Sequence, residues 1–410
     1  MIEKQEKCET AITYLNSYSN ELIKSKNVIF RGAPGTGKTY LAKRVAADII
    51  SNGEHDDYTL LTDEQKKQVE FVQFHPSYDY SDFVEGLRPR VNADGSMSFQ
   101  LEDGIFTKFI KKAQRSFDDD FDDARQISAS DILEEYLSEI KLGVETFETI
   151  TRNKFYIKSF DEKYICVSIP NNQKNTLNLN KTKLLSMIES GKKFEKVKDL
   201  TAFFKKKSNN QKDSYYFAIF NDIKSKIVKP FIFVIDEMNR AEISKVFGEL
   251  FFSIDPEYRG SAGEVSTQYA NLHENPDKKF SIPENVYIIG TMNDIDRSVD
   301  SFDFAMRRRF RFIEIKANDH LEMLNCLGDE LKEEAIKRME NLNNEISRVD
   351  ELNENYYVGA SYFRKLSTLT FDQLWTDYLL PLLRDYVHGM YDEEELLKKF
   401  EQAYRDIHQK

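Results

Sequence analysis

Residues 31–40 read RGAPGTGKTY, directly after the short apolar run NVIF at 27–30. The chain has only 16 glycines in 410 residues, yet Gly32, Gly35 and Gly37 fall within six positions, followed at once by Lys38 and Thr39. The spacing from Gly32 to Thr39 fits G-x-x-x-x-G-K-[ST] without a mismatch. Glycine permits backbone angles that aim successive N–H groups at one point, which makes a nest for phosphate oxygens. Lys38 supplies a mobile positive charge to the β and γ phosphates, and the Thr39 hydroxyl is a ligand suited to Mg2+. A helix is expected to open here, over GKTYLAKRVAADII, because Leu41, Ala42, Val45, Ala46 and Ile49 share one side. Its N-terminus adds a positive dipole end to the nest. Gly32, Pro34, Gly35, Thr36, Gly37, Lys38, Thr39 and Tyr40 are therefore the candidate nucleotide-binding residues.

A nucleotide site built this way needs a second strand that ends in carboxylates. KPFIFVIDEMNR provides one, with five apolar residues from Phe231 to Ile235 and then Asp236-Glu237. An unbroken apolar run is the signature of a central parallel strand covered on both faces. Asp236 is the candidate Mg2+ partner of Thr39, and Glu237 the group that orients or deprotonates the attacking water. A third strand, ENVYIIGTMNDIDRS, ends in Thr291, Asn293, Asp294 and Asp296. Ligands of open parallel sheets sit beyond the carboxyl ends of the strands, so these polar residues stand at the right edge. Next, DFAMRRRFRFIEI predicts a short helix ending in Arg307-Arg308-Arg309 and then an alternating strand. Successive 100° steps prevent all three arginines from facing one ligand. One or two could reach the γ phosphate of a neighbouring subunit, and the rest suit the helix C-terminus.

Composition limits the remaining classes. Apolar residues make up 40% and aromatics 13%, which is enough for real cores. No apolar run approaches the roughly 18 residues that span a bilayer, and the charged start MIEKQEKCET lacks the features of a signal peptide. Cys8, Cys166 and Cys326 are scattered and odd in number, so neither disulfides nor zinc is indicated, and a cytoplasmic location with no membrane partner is expected. The net charge of −12 conceals two blocks: residues 117–150 carry −9, and residues 151–230 carry +11. A basic block inside an acidic protein invites a nucleic-acid reading, although such blocks are usually solvated surface.

Together these motifs resemble the AAA+ superfamily, and their finer wording resembles its McrB branch, the GTP-using motor subunit of modification-dependent restriction systems. The likeness rests on FHPSYDYSDFVEGLRP (74–89), DGIF (103–106), IDEMNRAEISKVFGEL (235–250), NVYIIGTMNDIDRS (285–298), FAMRRRFRFIEI (304–315) and VGASYF (358–363). It implies that Gly32 to Thr39 bind phosphates and that Asp236 and Glu237 serve Mg2+ and water. It also implies that Asn293 and Asp296 act as sensor or catalytic groups, and that Arg308 or Arg309 acts across a subunit interface. The family assembles hexameric rings and pairs with a separate McrC-like nuclease subunit. GTP is favoured by this resemblance alone. The guanine-reading N-K-x-D is absent, so GTP and ATP both stand as substrates.

The implied fold is α/β, an AAA+ doubly wound parallel sheet with a C-terminal helical lid and an inserted small α+β domain. The expected boundaries are an N-terminal helix at 1–26, core at 27–116, insertion at 117–228, core at 229–315 and lid at 316–410. The lid also follows from helical apolar spacing in DHLEMLNCLGDELKEEAIKRMENLNNEIS and TFDQLWTDYLLPLLRDYV. Two features depart from the family pattern. Only about 26 residues precede the first strand, so no DNA-reading domain is expected there. The insertion of about 110 residues is the other departure. It opens with the acid-rich SFDDDFDDARQ, read as a linker, and continues with a helix over SDILEEYLSEIKL capped by Ser130 or Asp131. Strand-like KFYIKSFDEKYICVSI, a turn at PNNQKN and helix-like KTKLLSMIES follow. Its lysine clusters GKKFEKVK and FFKKKSNNQK interleave with Phe194, Phe203 and Phe204, a pattern open to DNA contact, partner docking or an ordinary core.

The function expected is a ring-forming NTPase working with a nuclease in defence against foreign DNA. A MoxR-like remodelling ATPase that never meets DNA is the alternative from another class, and a DNA-binding protein using nucleotide as a mere switch is a third. Tyr78 and Tyr80 stand either in the local core or on a loop facing the ring's channel. No nuclease constellation is evident, and Asp161-Glu162-Lys163 reads as a hairpin turn.

Overall fold

A computed structural model describes residues 14–92, 94–124, 129–169, 176–190, 192, 194, 196–206, 210–227, 229–295 and 304–406. The strands among them, in chain order, are β1 (Asn27–Gly32), β2 (Val69–Gln73), β3 (Glu85–Val91), β4 (Met97–Asp103), β5 (Thr146–Glu148), β6 (Lys154–Phe160), β7 (Tyr164–Ser168), β8 (Thr176–Asn180), β9 (Phe231–Asp236), β10 (Val286–Asn293) and β11 (Arg311–Glu314). Five of them form a parallel sheet in the order β11-β1-β10-β9-β2. The apolar runs of β1, β9 and β10 lie in its middle because only there are both faces covered.

One face receives the helix Lys38–Ile50, which packs Leu41, Ala42, Val45, Ala46 and Ile49 over Val28, Phe30, Ile232 and Val234. The helix Ser17–Ser25 joins that layer through the buried Asp48. Its carboxylate accepts the Leu15 and Asn16 N–H groups at 3.0 Å each, and the Ser19 hydroxyl. The other face is covered by the helix Ile105–Ala124 and the short helices after β9, around Phe83, Phe106, Phe233 and Phe247. Phe83 stacks on Phe106 at 4.7 Å, and Phe106 meets Phe233 edge-on at 5.0 Å.

Tyr78 and Tyr80 belong to this same layer. Tyr78 stacks on Phe74 at 4.6 Å, and burial pushes its hydroxyl up to about 12. Tyr80 is buried, and its hydroxyl donates to Glu249 Oε1 at 2.5 Å. Both rings therefore serve the local core, as one of the two sequence readings had it.

Residues 129–227 build a second core around a four-stranded antiparallel sheet, β5-β6-β7-β8. The helices Ala129–Glu139, Lys181–Ser190, Val197–Phe203 and Gln211–Ile227 surround it. Two expectations change here, and one open reading is decided. The acid-rich stretch is no linker: the helix that begins at Ile105 runs through to Ala124, and Phe117 and Phe121 stand about one helical turn apart in its sequence. The next helix starts at Ala129, before Ser130 and Asp131, so neither residue is its cap. Phe194 is buried, and Phe203 and Phe204 are partly buried against the same core, so these rings are packing and not stacking platforms. The Lys206 ammonium pairs with the fully buried Asp213 carboxylate. Asp161 makes the β6–β7 turn, accepting the Lys163 and Tyr164 N–H groups at 2.8 and 2.6 Å. The expected turn at PNNQKN falls mostly outside the described residues.

The C-terminal helices Asp329–Ile346, Leu380–Val387 and Glu393–Arg405 close a third core on Trp375, Phe363, Phe400 and Tyr404. Residues Trp375–Leu379 widen to a π-turn just before Pro381. Proline lacks the N–H for the i−4 carbonyl and its ring crowds that carbonyl, so a wider turn absorbs the misfit.

Candidate active site

The parallel register brings the three polar strand ends together. Gly32 of β1 lies beside Asn293 of β10, and Gly290 of β10 beside Ile235 of β9. The loop from Gly32 to Lys38 then turns over the sheet edge, with Gly35 at φ 77° and Gly37 at φ 89°, angles that a side chain would strain. Thr36 Oγ1 donates to the Ala33 carbonyl at 3.0 Å and tightens the loop. The Lys38 ammonium is buried beneath it, donating to the carbonyls of Gly32 at 3.1 Å and Ala33 at 2.7 Å.

Asp236 accepts two hydrogen bonds on Oδ1, from Thr39 Oγ1 at 2.7 Å and Thr291 Oγ1 at 2.6 Å. Thr291 Oγ1 in turn accepts the Glu237 N–H at 3.2 Å. Glu237 sits at φ 53°, ψ 46°, a left-handed backbone rare outside glycine and often stored at working sites. That turn swings its side chain toward β10, where Asn293 Nδ2 donates to Oε1 at 2.8 Å. On the far side Arg240 Nε approaches Oε2 at 3.3 Å. Asn239 Nδ2 donates to the Asn293 carbonyl at 3.1 Å and holds the two strand ends in step.

Asp294 adds a carboxyl to the same edge. Burial raises it above its ordinary value, against the opposing pull of the Arg31 and Lys38 cations, while the Glu314 charge raises it further. Asp296 lies outside the described residues.

The Thr39 hydroxyl and the Asp236 carboxylate, already in contact, are hard oxygen donors that fit Mg2+. Among the described residues no group of three or more His, Cys, Asp or Glu is gathered for a metal.

The arginines separate. Arg309 is only 7% exposed: its guanidinium lies 3.8 Å from Asp255 and over the Phe251 ring, within its own chain. Arg308 is 65% exposed and 3.9 Å from the same carboxylate. Both stand at the far end of the sheet from their own phosphate loop. Asn27 Nδ2 donates to the Arg309 carbonyl at 2.9 Å, and from Asn27 to Gly32 β1 rises by about 16 Å. Arg308 therefore cannot serve the nucleotide of its own chain, and Arg309 is bound up in packing.

Two contributors are not marked by the motifs. Thr291 reads in sequence only as a polar strand end; its place one residue before the MNDID run is the signal. The lid is the second. Within VGASYF, Gly359 N donates to the Pro34 carbonyl at 3.2 Å and Ser361 N to the Gly35 carbonyl at 2.9 Å. Met323 and His320 crowd Gly37 from the linker that leads into the lid. Between that linker, the loop start and the lid, a cavity of about 300 Å³ opens beside Gly32, Asn318, Asn343 and Asn355.

Residues 27–186 and 178–310 match the AAA domain of the dynein-related subfamily. Residues 334–395 match the McrB alpha-helical lid domain. The chain is 27% identical over 358 residues to the type IV methyl-directed restriction enzyme EcoKMcrB subunit of Escherichia coli (strain K12), covering 86% of this chain and 50% of that protein. It is 33% identical over 88 residues to the type II restriction enzyme BsuMI component YdiS of Bacillus subtilis (strain 168), covering 20% of this chain and 26% of that protein. The chain thus spans half or less of the length of these relatives. Among the described residues no helix is long and apolar enough to cross a membrane.

Proposed function

Since the chain belongs to the AAA family, in its dynein-related subfamily, and carries a McrB-type lid, we propose that it hydrolyses the β–γ bond of GTP or ATP as the ring-forming motor subunit of a DNA restriction complex with a separate nuclease subunit. The observation that carries the catalytic part is the Asn293–Glu237 contact: a carboxylate at the end of β9, aimed by an amide from β10, beside a phosphate nest. Lys38 exchanges its loop carbonyls for the β and γ phosphates. Thr39 and Asp236 would hold Mg2+, which when bound would neutralise charge on those phosphates. Glu237 accepts the proton of the attacking water, and Asn293 keeps its carboxylate turned to that water. Arg308 of one copy reaches the γ phosphate of the next, which links turnover to assembly.

The lid match and the two restriction-system relatives favour this reading over a MoxR-like remodelling ATPase. With Phe194, Phe203 and Phe204 packed against its core, the inserted domain offers DNA chiefly its lysines, a salt-sensitive contact with phosphates and not a reader of bases.

The test is steady-state hydrolysis of GTP and of ATP against protein concentration. Lys38→Ala should lose nucleotide binding, and Glu237→Gln should bind Mg2+-nucleotide but turn over at least about 100-fold slower. Arg308→Ala should lose turnover while Arg309→Ala loses stability, and mixing Arg308→Ala with Glu237→Gln chains should restore part of the rate. Near-parental turnover by the Glu237 variant would remove that residue from the mechanism. A concentration-independent rate from a chain that stays monomeric would remove the role of Arg308 between copies.

A further inference from the structure

The end of the molecule that carries Arg308 also holds apolar surface, and part of it comes from the inserted domain. Asp255, which faces Arg308, opens the short turn Pro256–Tyr258. Tyr258 stacks on Phe252 at 4.5 Å, and the two rings are 37% and 41% exposed. Glu257, between Asp255 and Tyr258, accepts Arg152 Nη2 of the inserted domain at 2.6 Å. This contact brings the β5–β6 turn, and with it the 59% exposed Ile150, to the Arg308 end.

That turn is rigid. Arg152 N donates to the Thr149 carbonyl at 2.8 Å, and Asn153 N donates to Thr149 Oγ1 at 3.1 Å. Thr149 is itself buried, and Arg152 adopts φ 60°. An isoleucine held outward at the tip of a fixed turn loses little freedom when it is covered, which favours association.

We infer that this end receives a second copy of the chain, with the Thr149–Asn153 turn, Tyr258 and Phe252 forming the apolar contact beside Arg308. The inference rests on the reading of Arg308 given above, and that reading supplies the occupant: the arginine faces away from its own nucleotide and toward the phosphate edge of a neighbour. The area sets the strength. Ile150, Tyr258 and Phe252 together expose roughly 250 Å², well under the ~800 Å² per partner of a stable complex. These side chains therefore form one part of a contact that also includes Arg308 and the neighbour's phosphate. The inserted domain in this view buttresses the contact between copies and need not touch DNA to matter for turnover.

The experiment is sedimentation velocity of the full chain in a Glu237→Gln background with Mg2+ and GTP or ATP, over a range of protein concentrations. Ile150→Asp and Arg152→Glu change exposed side chains far from the phosphate loop, and circular dichroism checks that each variant folds. Each should raise the concentration for half-assembly at least about tenfold. In the active background each should lower turnover at dilute protein and recover it at high concentration. Tyr391→Asp, at a 92% exposed lid position, should do neither. Parental assembly by both folded variants would overturn the inference while leaving Arg308 its role, provided that Arg308→Ala still loses turnover. A parent chain that stays monomeric with nucleotide and turns over at a concentration-independent rate would remove both.

Discussion

Gly359→Ala should uncouple the lid from the phosphate loop. Gly359 has φ −87°, so alanine meets no backbone strain there; the obstacle is purely steric. A Cβ at this position would lie 2.2 Å from both the carbon and the oxygen of the Gly35 carbonyl and 2.3 Å from Thr36 N. All three are backbone atoms, so no rotamer change relieves the clash. Lid and loop must part by about 1.2 Å to reach ordinary 3.4 Å contact. That separation carries the Gly359–Pro34 and Ser361–Gly35 hydrogen bonds, now 3.2 and 2.9 Å, beyond hydrogen-bonding range. Two such bonds contribute about 1–3 kcal/mol together, so nucleotide affinity should fall roughly 5- to 150-fold. The added Cβ points at Gly35 and Thr36 and not into the third core that holds the flanking Val358 and Ala360, so the lid should melt as in the parent. The assay is equilibrium titration with a fluorescent nucleotide alongside thermal unfolding. Gly328→Ser is the control, at a helix N-cap in open space, and should stabilise by a few tenths of a kcal/mol without changing affinity. Parental affinity in Gly359→Ala would refute the idea that lid docking shapes the phosphate nest.

Asp294 should make nucleotide binding pH-dependent. Its carboxyl titrates above the ordinary carboxylate range, and its ionised form repels phosphate beside Lys38, so affinity should rise as pH falls through that raised value. Asp294→Asn should flatten this dependence and tighten binding at neutral pH by roughly 2- to 15-fold, the effect of one charge at about 10 Å between protein-surface and water dielectrics. Calorimetry in buffers of differing ionisation enthalpy should find proton uptake on binding by the parent and none by the variant. Tyr80→Phe removes the hydroxyl that donates to Glu249 Oε1 and accepts Gln268 N at 3.1 Å, and urea unfolding should show a loss of about 1–2 kcal/mol. Loss of turnover by that variant without any loss of stability would return the tyrosine to a functional role.

Local sequence determined much of the candidate site. Glycine spacing, an apolar run ending in two carboxylates and a strand ending in Asn are short-range patterns. Each has one structural use when a phosphate must be held at a sheet edge, so Gly32 to Thr39, Asp236, Glu237 and Asn293 could be named before any coordinates. What needed the tertiary structure depends on contacts distant along the chain. Arg308 and Arg309 are neighbours with the same chemistry; only packing against Asp255 and Phe251 buries one and exposes the other. Phe194, Phe203 and Phe204 read equally well as stacking surface or core until the fold turned them inward. The acid-rich stretch looked like a linker because charge hid its helical spacing. The lid reaches the phosphate loop through backbone N–H groups of Gly359 and Ser361, which no side-chain pattern announces. Sequence specifies what a local segment can do, whereas burial and the partner across a gap of three hundred residues are properties of the whole packed chain.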